Sequence, residues 1–470
     1  MQVKNTLIKL IVAAVAMVPT AVAAQTSSIN AFSPYTMYGI GEQNTPGTLS
    51  MRSMGGAGVA MRSPGTLNLL NPAAYSAAQQ KTFLFNFGLE GQNYYNSQKV
   101  AGESKNTAYN TFNFHDIAFQ MPLARKLGLG FSLTPYSSVG YRTKYYHEYD
   151  PTDPVYGNVG NVQYNYQGEG DVTEVKLGIG WEVFKNFSIG VAAQYYWGDI
   201  DRTFVMTPTA ITGEGNFTST VGADNYSISS VKGQVGVQWR AIQNQKRLLT
   251  FGAAYDFGGD LNPEVTKRLY IGDLYNTIVK GDTTHLKLVL PSQLAVGVTY
   301  ETPKLIISAD YVYQNWGGRN KGYEMTGVSG KDKTSYKVEY TNTSTFKVGV
   351  EYTPNRYDIR HFLKRWSYRA GFRYGSYNQT FNGDRLPRAV RRDGGHRDSG
   401  EAVGRLRNRR GRRVRTPRLQ RGRPAGTGPA AVFQIRGRLH ALRGPGERRI
   451  LVHASQIRIR QANNTKQKLI

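Results

Sequence analysis

Four histidines precede Pro387: His115, His147, His285 and His361. They are the first candidates for acid–base or metal chemistry, because imidazole titrates near neutral pH unaided. None belongs to a Ser/His/Asp-type pattern, and no two stand at metal-ligand spacing. The chain has no cysteine, so thiolate nucleophiles and sulfur ligands are absent, as suits an exported protein. A glycine-rich run, Arg52-Ser53-Met54-Gly55-Gly56-Ala57-Gly58-Val59-Ala60, could cradle a phosphate, but no Lys-Ser/Thr follows it. These residues predict no enzyme, cofactor or metal site.

The remaining chemical signal is charge. A formal +27 suggests a polyanion binder. The excess is local, however: Arg388 to Ile470 carries 23 Lys+Arg against 4 Asp+Glu, while Met1 to Pro387 carries 36 against 28. An arginine-rich nucleic-acid arm or a disordered basic tail does not explain so abrupt a change. A shifted reading frame does. Back-translated with free third positions and re-read one base out of phase, Arg388 to Gly404 permits E-Q-Y-A-V-T-A-G-I-G-I-P-V-K-R-W-G. Asn408 to Arg418 permits I-D-V-G-V-E-F-G-R-R, and Val432 to Arg443 permits Y-F-K-F-G-V-G-F-T-L-Y. Arg449 onward permits Y-W-F-M-Q-A-K-Y-E, then a stop at Ile459-Arg460. Residues 388–470 are read as a frame-shifted set of amphipathic strands, and no nucleic-acid partner is expected.

At the other end, Lys4 and Lys9, the apolar run Leu10 to Val18 and the small residues Ala21-Val22-Ala23-Ala24 spell a cleavable signal peptide over residues 1–24. No run of 18 apolar residues follows, so a membrane location would have to use strands.

The body, residues 81–387, alternates with period two. Phe187, Ile189, Val191, Ala193, Tyr195 and Trp197 are separated by Ser188, Gly190, Ala192, Gln194 and Tyr196; Leu294 to Tyr300 and Leu305 to Tyr313 behave alike. Alternation over roughly ten residues suits a strand with one lipid face and one lumen face. Short turns (Ala124 to Lys126, Phe184 to Asn186, Glu301 to Lys304) alternate with long polar segments (His147 to Val162, Thr207 to Asp224, Gly317 to Lys337), the asymmetry of an outer-membrane barrel. Tyr136, Tyr141, Tyr195 and Tyr196 are expected to contribute to an interfacial girdle. The fold class is all-β: an antiparallel transmembrane β-barrel of about eleven strands as written and about fourteen with the frame restored, an even number.

Residues 25–80 are neither strand nor simple linker. The glycine run and Leu67-Asn68-Leu69-Leu70-Asn71-Pro72-Ala73-Ala74-Tyr75 are rich in small residues, and Asn-Pro sets a turn. G-G-A-G-V-A followed by N-P-A-A just before the first strand resembles the FadL-type outer-membrane transporters of long-chain fatty acids, in the version found in Bacteroidetes. The resemblance implies fourteen strands and an N-terminal hatch in the lumen, with Gly55, Gly56, Gly58, Asn71, Pro72 and Ala73 as its motif residues. It also implies passive uptake of a hydrophobic small molecule and sideways release through the wall. A second reading is a shuttle or partner in protein secretion or surface attachment, since the family includes such a protein beside an aromatic-hydrocarbon importer. Ile306 and Val312, apolar residues on an otherwise polar strand face, are candidate lumen-pocket residues, although packing against the hatch accounts for them equally well. Expected partners are outer-membrane lipid, the hydrophobic ligand and the barrel-assembly machinery.

Overall fold

The computed structural model describes residues 31–100, 103–152, 159–210, 217–244, 246–261, 263–272, 278–285, 288–317, 323–326, 335–355, 358, 360–381, 383–393, 426–427, 431–441 and 450–455. The signal-peptide reading and most of the arginine-rich tail lie outside them.

Eleven long strands precede Pro387: β1 (Thr82–Val100), β2 (Glu103–Ala124), β3 (Leu127–His147), β4 (Asn161–Phe184), β5 (Phe187–Thr209), β6 (Thr220–Gln243), β7 (Leu248–Asp256), β8 (Ser292–Glu301), β9 (Leu305–Asn315), β10 (Thr343–Tyr352) and β11 (Tyr368–Phe381). Each pairs antiparallel with the next. Three further strands, β12 (Asp384–Asp393), β13 (Ala431–Ala441) and β14 (Ile450–Ser455), extend the wall. β12 pairs with β11, β13 with β1, and β14 with β13. The wall is thus one row of fourteen, and among the described residues β12 and β14 do not pair with each other.

The alternation becomes an inside-out distribution of polarity. On β5, Ile189, Val191 and Tyr195 are exposed, while Ser188 and Gln194 are buried. On β4, Leu177, Ile179 and Trp181 face outward and Lys176 inward; on β10, Phe346 and Val348 face outward and Lys347 inward. A soluble sandwich would bury the apolar set. An exposed apolar belt around a polar interior is stable only where the surrounding solvent is hydrocarbon. No helix among the described residues is long and apolar enough to cross a membrane.

Tight turns join β2 to β3 and β4 to β5, closed by Lys126 at φ 68° and Asn186 at φ 71°. At the other end the strands outrun the bilayer. β4 has 24 residues, whereas about ten cross a membrane. The surplus explains why part of the expected Thr207 to Asp224 loop is strand: β5 runs to Thr209 and β6 starts at Thr220. A hairpin of Glu264–Ile271 and Ile278–His285 adds to β6 beyond the membrane.

Three of the four girdle tyrosines are placed otherwise than expected. Tyr195 is outward, but Tyr196 has the opposite parity and is buried. Tyr136 has the inward parity of Gly130 and Ser132 and packs against the interior cluster that contains Tyr196, and the register shift between Pro135 and Ser137 turns Tyr141 into that same cluster.

Candidate functional site

Residues 31–80 fill the interior of the wall. Leu49–Ser53 forms a five-residue helix, α1, and Pro72–Ala77 a 3-10 turn. Met51, Ala57, Ala60, Ala73 and Tyr75 are all buried. The segment reaches the wall through three kinds of contact.

The first is close approach over glycine. Gly128, Gly180, Gly190 and Gly236 pair in register across β3, β4, β5 and β6, forming a bare strip on the inner face. A Cβ would meet the carbonyl O of Tyr75 at 1.9 Å from Gly128 and that of Pro72 at 2.4 Å from Gly180. From Gly190 it would lie 2.3 Å from the carbonyl carbon of Pro72, and from Gly236 2.1 Å from Asn71 Oδ1. The Asn-Pro-Ala turn is seated on this strip. The row continues through Ala254 and Ala295 to Val312. Across the lumen, Gly349 and Gly371 pair beneath Met54 and Gly55. The inner segment reciprocates with Gly55 and Gly56, at φ 72° and 81°. A Cβ on Gly55 would lie 2.7 Å from the carbonyl O of Phe372. Such glycines weaken a strand locally, so their repetition in register has a packing reason.

The second is hydrogen bonding to bare backbone. Asn71 is fully buried; its Nδ2 donates to the carbonyls of Val59, Val237 and Ala253, each at 3.1 Å, and its Oδ1 accepts from Ala73 N at 3.0 Å. It caps the turn and ties it to β6 and β7 at once. Asp310 Oδ2, on β9, accepts from the amides of Gly58 at 2.6 Å and Val59 at 2.9 Å. Gln238 Nε2 donates to Val59 O at 2.9 Å, Gln234 Nε2 to Leu70 O at 3.2 Å, and Lys176 Nζ to Leu69 O at 3.2 Å. The polar lumen face supplies partners for a segment with little regular structure of its own.

The third is ionic. Buried Arg52 pairs with Glu90 of β1, and buried Arg62 pairs with Glu182 of β4 at 2.8 Å while also donating to Ser76 Oγ at 3.0 Å.

Of the residues singled out in the sequence, Gly55, Gly56 and Gly58 form the bend opposite β9 to β11, and Asn71, Pro72 and Ala73 form the seated turn. Ile306 and Val312 are buried in one cluster with Met51, Met54, Val59, Met61 and Leu70. Both pack against the inner segment. Val312 borders a small cavity of about 100 Å³, and neither residue borders the larger one.

The larger cavity, about 320 Å³, lies on the long-loop side of the Asn-Pro-Ala turn. Leu69, Leu70 and Arg52 of the inner segment border it, as do Tyr136, Tyr196, Phe257 and Leu290. Along its wall Gln234, Asp256, Gln293 and Gln314 stand in register across β6 to β9, followed by Thr343 on β10, and hydrogen bonds link the row from Thr343 to Asp256. Thr343 Oγ1 donates to Gln314 Oε1 at 3.1 Å, Gln314 Nε2 to Gln293 Oε1 at 2.8 Å, and Gln293 Nε2 to Asp256 Oδ2 at 2.8 Å.

Comparison with known families decides the kinship. The BamG family matches residues 6–387, most of the chain. The chain belongs to the BamG family. The BamG match ends at Pro387, the residue after which the composition turns arginine-rich. Among solved structures, this BamG-family chain is similar to a FadL homologue of Pseudomonas aeruginosa, with 14% identity, TM-score 0.49, and coverage of 87% of this chain and 88% of that one. It is also similar to the Ralstonia pickettii toluene transporter TbuX, at 16% identity, TM-score 0.44, and 88% and 95% coverage. The Pseudomonas putida toluene transporter TodX gives 17% identity, TM-score 0.43, and 70% and 83% coverage. No curated protein matches. The BamG-family chain is an outer-membrane β-barrel protein, in keeping with its apolar outer face around a polar, filled interior.

Proposed function

We propose that this BamG-family barrel passively admits a small, largely apolar molecule from the cell exterior, with residues 31–80 acting as a hatch. The molecule is held in the lumen cavity and passes on when the hatch shifts. The observation that carries this reading is the cavity of about 320 Å³ directly above the Asn-Pro-Ala turn. Its volume falls in the range of small-molecule sites, and within a mostly polar lining Leu69, Leu70, Tyr136, Tyr196, Phe257 and Leu290 offer contacts for an apolar body. A long-chain fatty acid is the finer form of the reading, and it asks for a cation to receive the carboxylate. The test is uptake of a radiolabelled aromatic hydrocarbon and a fatty acid by cells with and without the barrel. Barrel-dependent uptake that rises when the hatch is loosened by Asn71→Ala supports the reading; uptake unaffected by the barrel overturns it.

A second reading, a partner within the barrel-assembly machinery, is favoured by the family's name and by the dense polar fastening of the inner segment. Co-purification of that machinery with the barrel, without barrel-dependent uptake, would select it.

Residues 388–470 enter the proposal as the wall's last three strands read one base out of frame. The end of the family match at Pro387, the composition change there and the odd number of long strands before it, eleven, support this. In the restored frame the last strand is the text of Val432 to Arg443, and Ala431–Ala441 is the segment that pairs with β1.

A further inference from the structure

We infer that the larger lumen cavity is built for the ammonium end of an amphiphile, an alkyl- or arylammonium ion, rather than for a carboxylate. The inference rests on the uptake reading and names the substrate class of its site.

The cations bordering the cavity are already engaged. Arg52 is paired with Glu90, Lys176 stands 3.4 Å from Glu174 and donates to Leu69 O, and Lys232 donates to Asp260 O at 2.7 Å. A ligand carboxylate could reach the free donors of Lys232, but it would face a lining with four carboxylates, Glu90, Asp171, Glu174 and Asp256, against the three cations Arg52, Lys176 and Lys232. Like charges at short range in a buried site cost several kcal/mol, which rules strongly against an anion.

The acceptors are in surplus. Asp256 receives only neutral amide donors, Gln194 Nε2 at 3.1 Å and Gln293 Nε2 at 2.8 Å, and it has no ion-pair partner among the described residues. The amide orientations of Gln194 and Gln234 are fixed, because each Nε2 donates to a group that can only accept: Asp256 for the first, Leu70 O for the second. That leaves both Oε1 atoms without a partner, on side chains 3% and 4% exposed that line the cavity. Asp256, partly exposed in the lining, hydrogen-bonded only by neutral amides and sharing Lys176 with Glu174, is the acceptor left open to a ligand that brings hydrogens and positive charge; the two Oε1 atoms behind it are closed off.

The aromatic residues complete the match. Tyr136 and Tyr196 line the same cavity edge to face, with centroids 4.9 Å apart, and a π-face attracts an organic cation. On the long-loop side the cavity meets an apolar cluster that includes Tyr196, Ile200, Ile228, Leu290 and Trp316. An amphiphile fits with its ammonium at the Gln234–Asp256–Gln293 row and its apolar body toward that cluster.

The test is calorimetric titration of the barrel, with frame-restored carboxyl-terminal strands and in lipid nanodiscs, against 2-phenylethylammonium, 2-phenylethanol and 3-phenylpropionate; empty nanodiscs correct for partitioning. The ammonium ion is expected to bind about tenfold tighter than the carboxylate, with the alcohol between them. Asp256→Asn should bring ammonium and carboxylate within about threefold of each other, since it removes the charge and keeps the shape. Heat-modifiable gel migration of the variant verifies that it is folded. A carboxylate that binds as well as the ammonium overturns this inference and leaves the uptake reading standing. If none of the three binds, both fall.

Discussion

Replacing Asn71 by alanine isolates the fastening of the inner segment from the stability of the wall. The side chain is fully buried, shares two amide hydrogens among three carbonyls, and caps the Pro72–Ala77 turn through Oδ1. Loss of the cap costs about 1 kcal/mol. Each buried group left unsatisfied adds about 1–3 kcal/mol, and the Val59 carbonyl retains Gln238 as a donor, so the sum is roughly 2–4 kcal/mol. If that cost falls on local opening, the open population of the segment rises about 30- to 1000-fold. Hydrogen-exchange mass spectrometry of the folded barrel reads this directly. Peptides covering residues 49–77 should lose protection by that factor, while those covering β5 keep theirs. Unchanged exchange over 49–77 would refute the role given to Asn71. Equal loss in β5 would show that segment and wall open as one unit, which contradicts the hatch.

Gly190→Ala should hinder assembly, because its Cβ would sit 2.3 Å from the carbonyl carbon of Pro72, whereas Gly281→Ala has nothing within 4 Å and should be neutral; a cost of about 1–3 kcal/mol would appear as a lower temperature of heat-modifiable unfolding. Val191→Arg places a charge on the lipid face, where Val191 is 59% exposed, and should destabilise by about 2–4 kcal/mol if the residue lies near the bilayer midplane, as measured by folding into liposomes in urea. In the β10–β11 loop, the amides of His361 and Arg360 donate to Asp358 at 2.8 and 2.9 Å and hold its carboxyl below the usual carboxylate range. A depressed folded-state pKa gives order that is present above the ordinary carboxylate pKa and lost as pH falls through the depressed one. Amide exchange of Arg360 and His361, corrected for intrinsic rate, should accelerate only on that acid side, and Asp358→Asn should abolish the dependence.

Much of the wall could be read from residue order, because lipid and lumen faces impose period two and the turns break it where Lys126 and Asn186 bend the chain. Asn71-Pro72-Ala73 was legible as a turn for the same local reason. What was not legible depended on pairing across the sheet. Gly180 and Gly190 each look like an ordinary small residue on a polar face, and only their register with Gly128 and Gly236 makes a seat for the turn. Glycine at inward positions of successive strands was the available signal. Asp310 could not be matched to Gly58 from sequence, since the two lie 252 residues apart and a carboxylate on a lumen face usually meets water. The tyrosines misled because Tyr136 and Tyr196 sit at inward positions of their strands, and the register shift at Tyr136 turns Tyr141 inward. The cavity's row from Gln234 to Gln314 is likewise visible only once four strands are aligned.

The central proposal is that the frame-restored chain closes as a fourteen-strand barrel, residues 388–470 being its final strands encoded one base out of frame. Gel migration with and without boiling, after refolding into liposomes, compares the literal polypeptide with the frame-restored one. The account predicts that only the restored chain shifts on heating, because the literal one leaves unpaired strand edges in hydrocarbon. A heat-dependent shift of the literal chain, equal to that of the restored one, would contradict it.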